Sequence, residues 1–186
     1  MRAETKRSLL LTLILCGSLH HCKNQNAAKL INAAQQGHLR NAKMALLAGV
    51  DVNSRDESGN TALMIAAAKG HSPIVDLLVR SKADINTANP LGRTALMWAV
   101  YVGQRPALAL LMAHRADLNL QDKEGFTALH WAVAQQDLVS TKLLQNAGAS
   151  AQLKDNKGRT PYRLAMQLGF DKLAEVLQVK EETQKD

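Results

Sequence analysis

The side chains able to do chemistry in this chain of 186 residues are few, and their spacing works against it. Cysteine occurs only at Cys16 and Cys22, and histidine at His20, His21, His38, His71, His114 and His130. His20, His21 and Cys22 are zinc-ligand types, but three adjacent residues in a leader lack the tetrahedral geometry a selective site needs. Asp51, Asp84 and Asp117 suggest carboxylates paired for acid–base work. Their spacing is 33 residues each time, which puts them in equivalent turns of successive units, where aspartate shapes the backbone. There is no glycine-rich phosphate loop, no HExxH and no GxSxG. No catalytic residue, metal or cofactor is expected.

The same spacing runs through the rest of the chain. Thr61, Thr94, Thr127 and Thr160 recur every 33 residues, each two places after Gly59, Gly92, Gly125 or Gly158. Leu30, Leu63, Leu96 and Leu129 form one column, and Ala33, Ala66, Ala99, Ala132 and Ala165 another. Gly37, Gly70, Gly103 and Gly169 form a third, with Gln136 in its gap. Asp51, Asp84 and Asp117 run into Ser150, while Asn53, Asn86 and Asn119 run into Gln152. A fixed period of this length marks a stacked-repeat protein. Such stacks present long binding surfaces, so the first question is what this one holds.

Each unit reads as two short helices and a turn. Thr61 caps the first helix by accepting from backbone N–H groups that lack partners. Ala66, Ala67 and Ala68 allow close helix approach, and Gly70 ends the helix in a left-handed conformation. Ile74, Val75, Leu77 and Leu78 mark a second helix at helical spacing.

The strings TALMIAAAKGH, TALMWAVYVG and TALHWAVAQQ, completed by DLLVRSKADIN, ALLMAHRADLN and KLLQNAGASAQ, resemble the ankyrin repeat. The resemblance covers about Asn26 to Gln178 and implies an all-α repeat solenoid of about five 33-residue units with projecting β-turns. The units are placed at about 26–55, 56–88, 89–121, 122–154 and 155–178, after a leader of residues 1–25 and before a polar tail at 179–186. Members of the family place histidine at the fourth position of the TPLH-like step, where it braces the turn. Only His130 keeps it; Met64, Met97 and Arg163 replace it. The resemblance also assigns His38 and His71 to bonding adjacent backbone. Lys82 and Arg115 replace a glycine kept at Gly49 and Gly148, and a left-handed conformation there costs about 1 kcal/mol each.

The leader is a different kind of sequence. A positive start (Arg2, Lys6 and Arg7 against Glu4), a run from Leu9 to Leu15 that is apolar except for Thr12, and then Cys16-Gly17-Ser18 describe a secretory signal. The run is too short to span a bilayer, which takes roughly 20 residues. Leu13-Ile14-Leu15-Cys16-Gly17-Ser18 resembles a bacterial lipoprotein processing box, in which Cys16 becomes lipidated; Leu15 departs from the small residue usual there. The competing reading is cleavage after Gly17 or Ser18, releasing a soluble protein. Either places the protein in the periplasm or cell envelope. The alternatives are a cytosolic adaptor with a short hydrophobic tail, and an enzyme or small-ligand carrier hosted by the stack, which would require a pocket with convergent polar groups.

Composition fits a binding module. Hydrophobic residues make up 46% and aromatic residues only 3%, which suits stacking through Ala and Leu. The net charge is +7, but the leader carries 4 basic residues against Glu4, leaving 19 basic against 15 acidic in the remainder, +4. No basic stripe of the kind nucleic acid requires is present. The expected partner is another protein, met by a monomer, with membrane contact only through a lipid anchor.

By the family pattern, a partner meets the turn tips and the concave face of the first helices. The tip slots hold Glu57, Ser58 and Asn60, then Pro90, Leu91 and Arg93, then Lys123, Glu124 and Phe126. The helix-face slots hold Lys69, Tyr101 with Val102, and Gln135. The expected partner-binding set is Glu57, Asn60, Lys69, Leu91, Arg93, Tyr101, Lys123, Phe126 and Gln135. Leu91, Tyr101 and Phe126 break a polar pattern, and exposed aromatics with arginine are the composition of interface hot spots. The competing reading has Tyr101 and Phe126 folding down over their neighbours. Replacing Tyr101, Arg93 and Phe126 together with alanine is expected to abolish partner capture and leave thermal unfolding nearly unaltered. Trp98 and Trp131 share the slot of Ile65 inside the first helix and are expected in the core.

Overall fold

The computed structural model describes residues 27–182. Cys16 and the His20-His21-Cys22 run lie outside the described residues. The helices in chain order are α1 (27–36), α2 (Leu39–Leu47), α3 (Ala62–Lys69), α4 (Ser72–Arg80), α5 (Ala95–Tyr101), α6 (Arg105–Ala113), α7 (Ala128–Ala134), α8 (Leu138–Asn146), α9 (Pro161–Leu168) and α10 (Asp171–Glu182). Among the described residues the only β pairing is an isolated antiparallel bridge, Arg55–Thr61. No helix there is long and apolar enough to cross a membrane.

Helices of seven to nine residues are marginal alone, so stacking must stabilise them. The first helices form one layer through α3–α5, α5–α7 and α7–α9 contacts; a second layer carries α2–α4, α4–α6 and α8–α10 contacts. The alanine column is buried throughout and lets neighbouring backbones approach, while Leu30, Leu63, Leu96 and Leu129 fill the seam. Each column threonine caps its helix, Thr61 accepting from Met64 N–H, Thr94 from Met97, Thr127 from His130 and Thr160 from Arg163.

The aspartate and asparagine columns build a ladder along the stack. Asp51, Asp84 and Asp117 accept the N–H two residues on, from Asn53, Asn86 and Asn119. The asparagine carbonyls then accept backbone N–H groups one unit ahead: Asn53 from Asp84, Asn86 from Asp117 and Asn119 from Ser150, at 2.8–2.9 Å. The carboxylates are turn formers.

The left-handed positions match the columns. Lys82 (φ 64°), Arg115 (φ 61°) and Gln136 (φ 55°) adopt that conformation without being glycine. Gly92 is needed for contact as well as conformation: a Cβ there would lie 2.8 Å from Asp122 Cα and from the Lys123 nitrogen. That closeness lets the tips zip together, Lys123 N–H donating to Leu91 C=O and Asn156 N–H to Glu124 C=O, each at 3.0 Å.

His130 is fully buried and completes a capping box with Thr127, while its Nε2 lies 3.0 Å from the Arg159 carbonyl. Burial disfavours its charged form and pushes its pKa below the ordinary 6.5, against the opposing effect of that carbonyl. His71 reaches the Gln35 carbonyl at 3.4 Å and packs on Gly37. His38, expected to do the same, instead lines a cleft at the amino-terminal end of the stack.

Candidate partner-binding face

The turn tips are braced by one column, Asp56, Asn89, Asp122 and Asp155. One oxygen of each accepts tip backbone: Asp56 from Asn60 N–H, Asn89 from Leu91 and Arg93, Asp122 from Glu124 and Phe126, and Asp155 from Lys157 and Arg159. The other atom differs from tip to tip. Asp122 Oδ2 accepts the Trp131 indole N–H at 2.9 Å, and Asp155 Oδ2 accepts Arg159 Nε at 2.7 Å. Burial raises the Asp155 pKa, but hydrogen bonds from Arg159 and Lys157 outweigh it and hold the carboxyl below its ordinary range. Asn89 offers an amide, which donates to Asn60 Oδ1 at 2.8 Å.

An aromatic cluster surrounds Arg93. Its Cζ lies 4.5 Å from the Trp131 ring centroid, 5.4 Å from Trp98 and 5.6 Å from Tyr101. Tyr101 meets Trp98 and Trp131 edge-on at 5.8 and 5.1 Å. Phe126 stacks on His130 at 5.4 Å and meets Trp131 edge-on at 5.1 Å. Such ring and cation–ring contacts are worth about 0.5–1.5 kcal/mol apiece. Arg93 Nε sits 3.8 Å from Asp122 Oδ2, beyond hydrogen-bond range.

Exposure sorts the sequence-derived residues. Glu57, Lys69, Lys123 and Gln135 are exposed, as are Leu91 (53%), Tyr101 (40%) and Val102 (47%). Asn60 is half-buried and bonded to Asp56 and Asn89. Phe126 is half-buried and folded down on its neighbours, and the Arg93 side chain is only 18% exposed. These two residues hold the tips to the helices, so replacing them together with Tyr101 must destabilise the stack, contrary to the expectation of unaltered unfolding. Only Tyr101 of the three is a surface group.

The two tryptophans also separate. Trp131 is buried, covered by Arg93 and Tyr101 from the unit before and by Phe126. Trp98, expected in the core, is half-buried because Asn60 and Ala68, in the slots corresponding to Arg93 and Tyr101, are too short to cover it. What remains is a cleft of about 190 Å³, walled by Trp98, Ile65, Asn60 and Gln35, with Lys69 at its edge. Larger clefts of about 470 and 480 Å³ lie at the amino-terminal end of the stack, around exposed Met44 and Leu47. Val102, Trp98 and Asn89 are absent from the sequence-derived set. The signal for Asn89 was its place in a column otherwise made of aspartate.

A family model described as ankyrin repeats (3 copies) matches residues 30–122 and 103–186. No curated protein matches the chain. Repeats of this kind are generally protein–protein interaction modules and typically non-catalytic. With threonine-capped helix pairs, laddered turns and this match running through the described stack, the chain belongs to the ankyrin-repeat family.

Proposed function

We propose that this protein is a non-catalytic binding module that holds another protein against its first-helix layer, centred on Leu91, Tyr101 and Val102. The single observation behind this reading is that three exposed apolar groups fall together in the central unit, while the others lie at the amino-terminal end (Met44, Leu47), on α8 (Val139, Leu143) and on α9 (Met166, Leu168). Leu91 replaces Ser58 and Glu124 of the neighbouring units, Tyr101 replaces Ala68 and Ala134, and Val102 replaces Lys69 and Gln135. Three solvent-facing slots turn apolar together in one unit, and adjacent exposed apolar groups of this kind mark interaction sites. Glu57, Lys69, Lys123 and Gln135 form the polar surround, as at the rim of an interface. Asn60, Arg93 and Phe126 position the face.

The signal-like leader supports a role in the cell envelope as adaptor, inhibitor or stabiliser of the partner, either lipid-anchored at Cys16 or soluble after cleavage. Mass spectrometry of the mature amino terminus separates lipidated Cys16, a cut after Gly17 or Ser18, and an uncut chain; the last outcome would return the protein to a cytosolic adaptor role.

The test of the face is to give the central unit its neighbours' surface through Leu91→Ser, Tyr101→Ala and Val102→Gln combined. Partner capture from envelope extracts should be lost. The unfolding midpoint should fall by roughly 3–12 °C, since two ring-edge contacts and one cation–ring contact of Tyr101 are removed. Capture as strong as that of the unaltered chain would sink the face.

A further inference from the structure

Among the described residues, the buried side-chain donors left without a hydrogen-bond partner are Arg93 Nε and Trp98 Nε1. Both trace to Asn89. Trp98 follows Asn89 by the same nine positions that separate Trp131 from Asp122, and Arg93 follows it by the same four that separate Arg159 from Asp155. In the other two turns a carboxylate oxygen accepts from that tryptophan or that arginine. Here the corresponding group is an NH₂, which cannot accept. The neighbouring Pro90 explains why an amide is used. Lys123 and Asn156 occupy the Pro90 slot and tie tip to tip through their backbone N–H, which proline lacks. The Asn89 amide ties the tips instead, through Asn60.

We infer that the Trp98–Arg93 pair, enclosed beneath Tyr101 and beside the cleft, takes the carboxylate of an aspartate or glutamate side chain from the partner protein, supplying the acceptor that Asn89 withholds. The inference rests on the binding face proposed above and names the chemistry that face selects. Charge favours a carboxylate over a neutral acceptor. Arg159 has its own Asp155 at 2.6 Å, whereas Arg93 has only Asp122 at 3.8 Å, an oxygen already engaged by Trp131. Lys69 adds a cation at the edge of the neighbouring cleft, and the one carboxylate lining that cleft, Asp56, is bonded to Asn60. Both donors are enclosed in the free protein, so binding requires the Tyr101 ring, the most exposed of the cluster and in contact with both residues, to turn outward, and the partner's apolar residues beside the carboxylate then rest on Tyr101, Val102 and Leu91.

The test begins with a random 12-residue peptide library displayed on phage and selected on the full chain, the winning peptide then being titrated by fluorescence anisotropy. Winning peptides should share one Asp or Glu beside an apolar residue. Changing that residue to Asn or Gln should weaken binding about tenfold, the scale of one charge-assisted hydrogen bond. Asn89→Asp should weaken the acidic peptide similarly, leave the amide peptide unchanged, and so erase the difference between them. Peptides without a shared acidic position, or an acid–amide difference that survives Asn89→Asp, would overturn the inference. If such peptides still lose binding to Tyr101→Ala, the face stands and only its chemistry is wrong. If Tyr101→Ala has no effect, face and inference fail together.

Discussion

Around Asp122 two backbone N–H groups and one indole N–H converge on a single carboxylate, and no buried side-chain donor of that turn is left stranded. Around Asn89, one unit earlier, the same backbone hydrogen bonds form, but the indole of Trp98 and the guanidinium nitrogen of Arg93 are stranded. The side chains at the head of the two turns differ by an oxygen exchanged for an NH₂, which alters hydrogen-bonding capacity and hardly alters shape. The fold therefore tolerates the exchange, at a cost of about 1–3 kcal/mol per stranded donor. One turn is complete in itself. The other is completed by something outside it, and it lies under the exposed apolar groups of the proposed face.

Asp122→Ala should cost the most, because it removes three hydrogen bonds and the nearest counter-charge of Arg93. Urea unfolding should register a loss of roughly 3–5 kcal/mol, as when one partner of a buried charge pair is deleted. Asp122→Asn keeps the backbone bonds but strands Trp131 as Trp98 is stranded now, and should lose about 1–3 kcal/mol. Asn89→Asp runs the exchange backwards. It gives up the bond to Asn60 and gains an acceptor for two donors, so a net rise of about 1 kcal/mol is expected. A loss of stability in that variant would mean the stranded donors are not costing what the geometry says.

The smallest effect separates the two units by pH. His130 belongs to the Asp122 unit, and Met97 fills its slot in the Asn89 unit. Burial holds the folded His130 pKa below the ordinary 6.5, so as pH falls the unfolded chain takes up the proton first. The stability tied to His130 is whole above pH 6.5 and declines as pH falls from there through the folded value. Unfolding midpoints measured across that window should flatten in His130→Met.

The repeat frame was legible in the sequence because each column answers a backbone demand. The threonines cap, the Asp and Asn columns ladder, and the departures at Lys82 and Arg115 turned left-handed as their slots required. The face was harder to read. A slot states which way a Cβ leaves the backbone but not where a long side chain ends, so Arg93 read as a surface residue and Phe126 stayed open between surface and fold-down, and both fold back onto aromatic rings. Trp98 and Trp131 read alike because they share a slot; their difference lies in Asn60 and Ala68, which belong to the unit before. Asn89 carried a signal in its column, but the meaning of that signal depends on an indole nine residues away.

The two tryptophans of the chain offer the most direct measurement. A ¹H–¹⁵N spectrum carries one indole N–H signal from each, and a selected acidic peptide can be titrated while both are followed. The expected result is a downfield move of the Trp98 signal as it gains a carboxylate acceptor, while Trp131, already bonded to Asp122, stays nearly fixed. A Trp98 signal that stays in place while the peptide binds, or a Trp131 signal that moves instead, would contradict the assignment of this face.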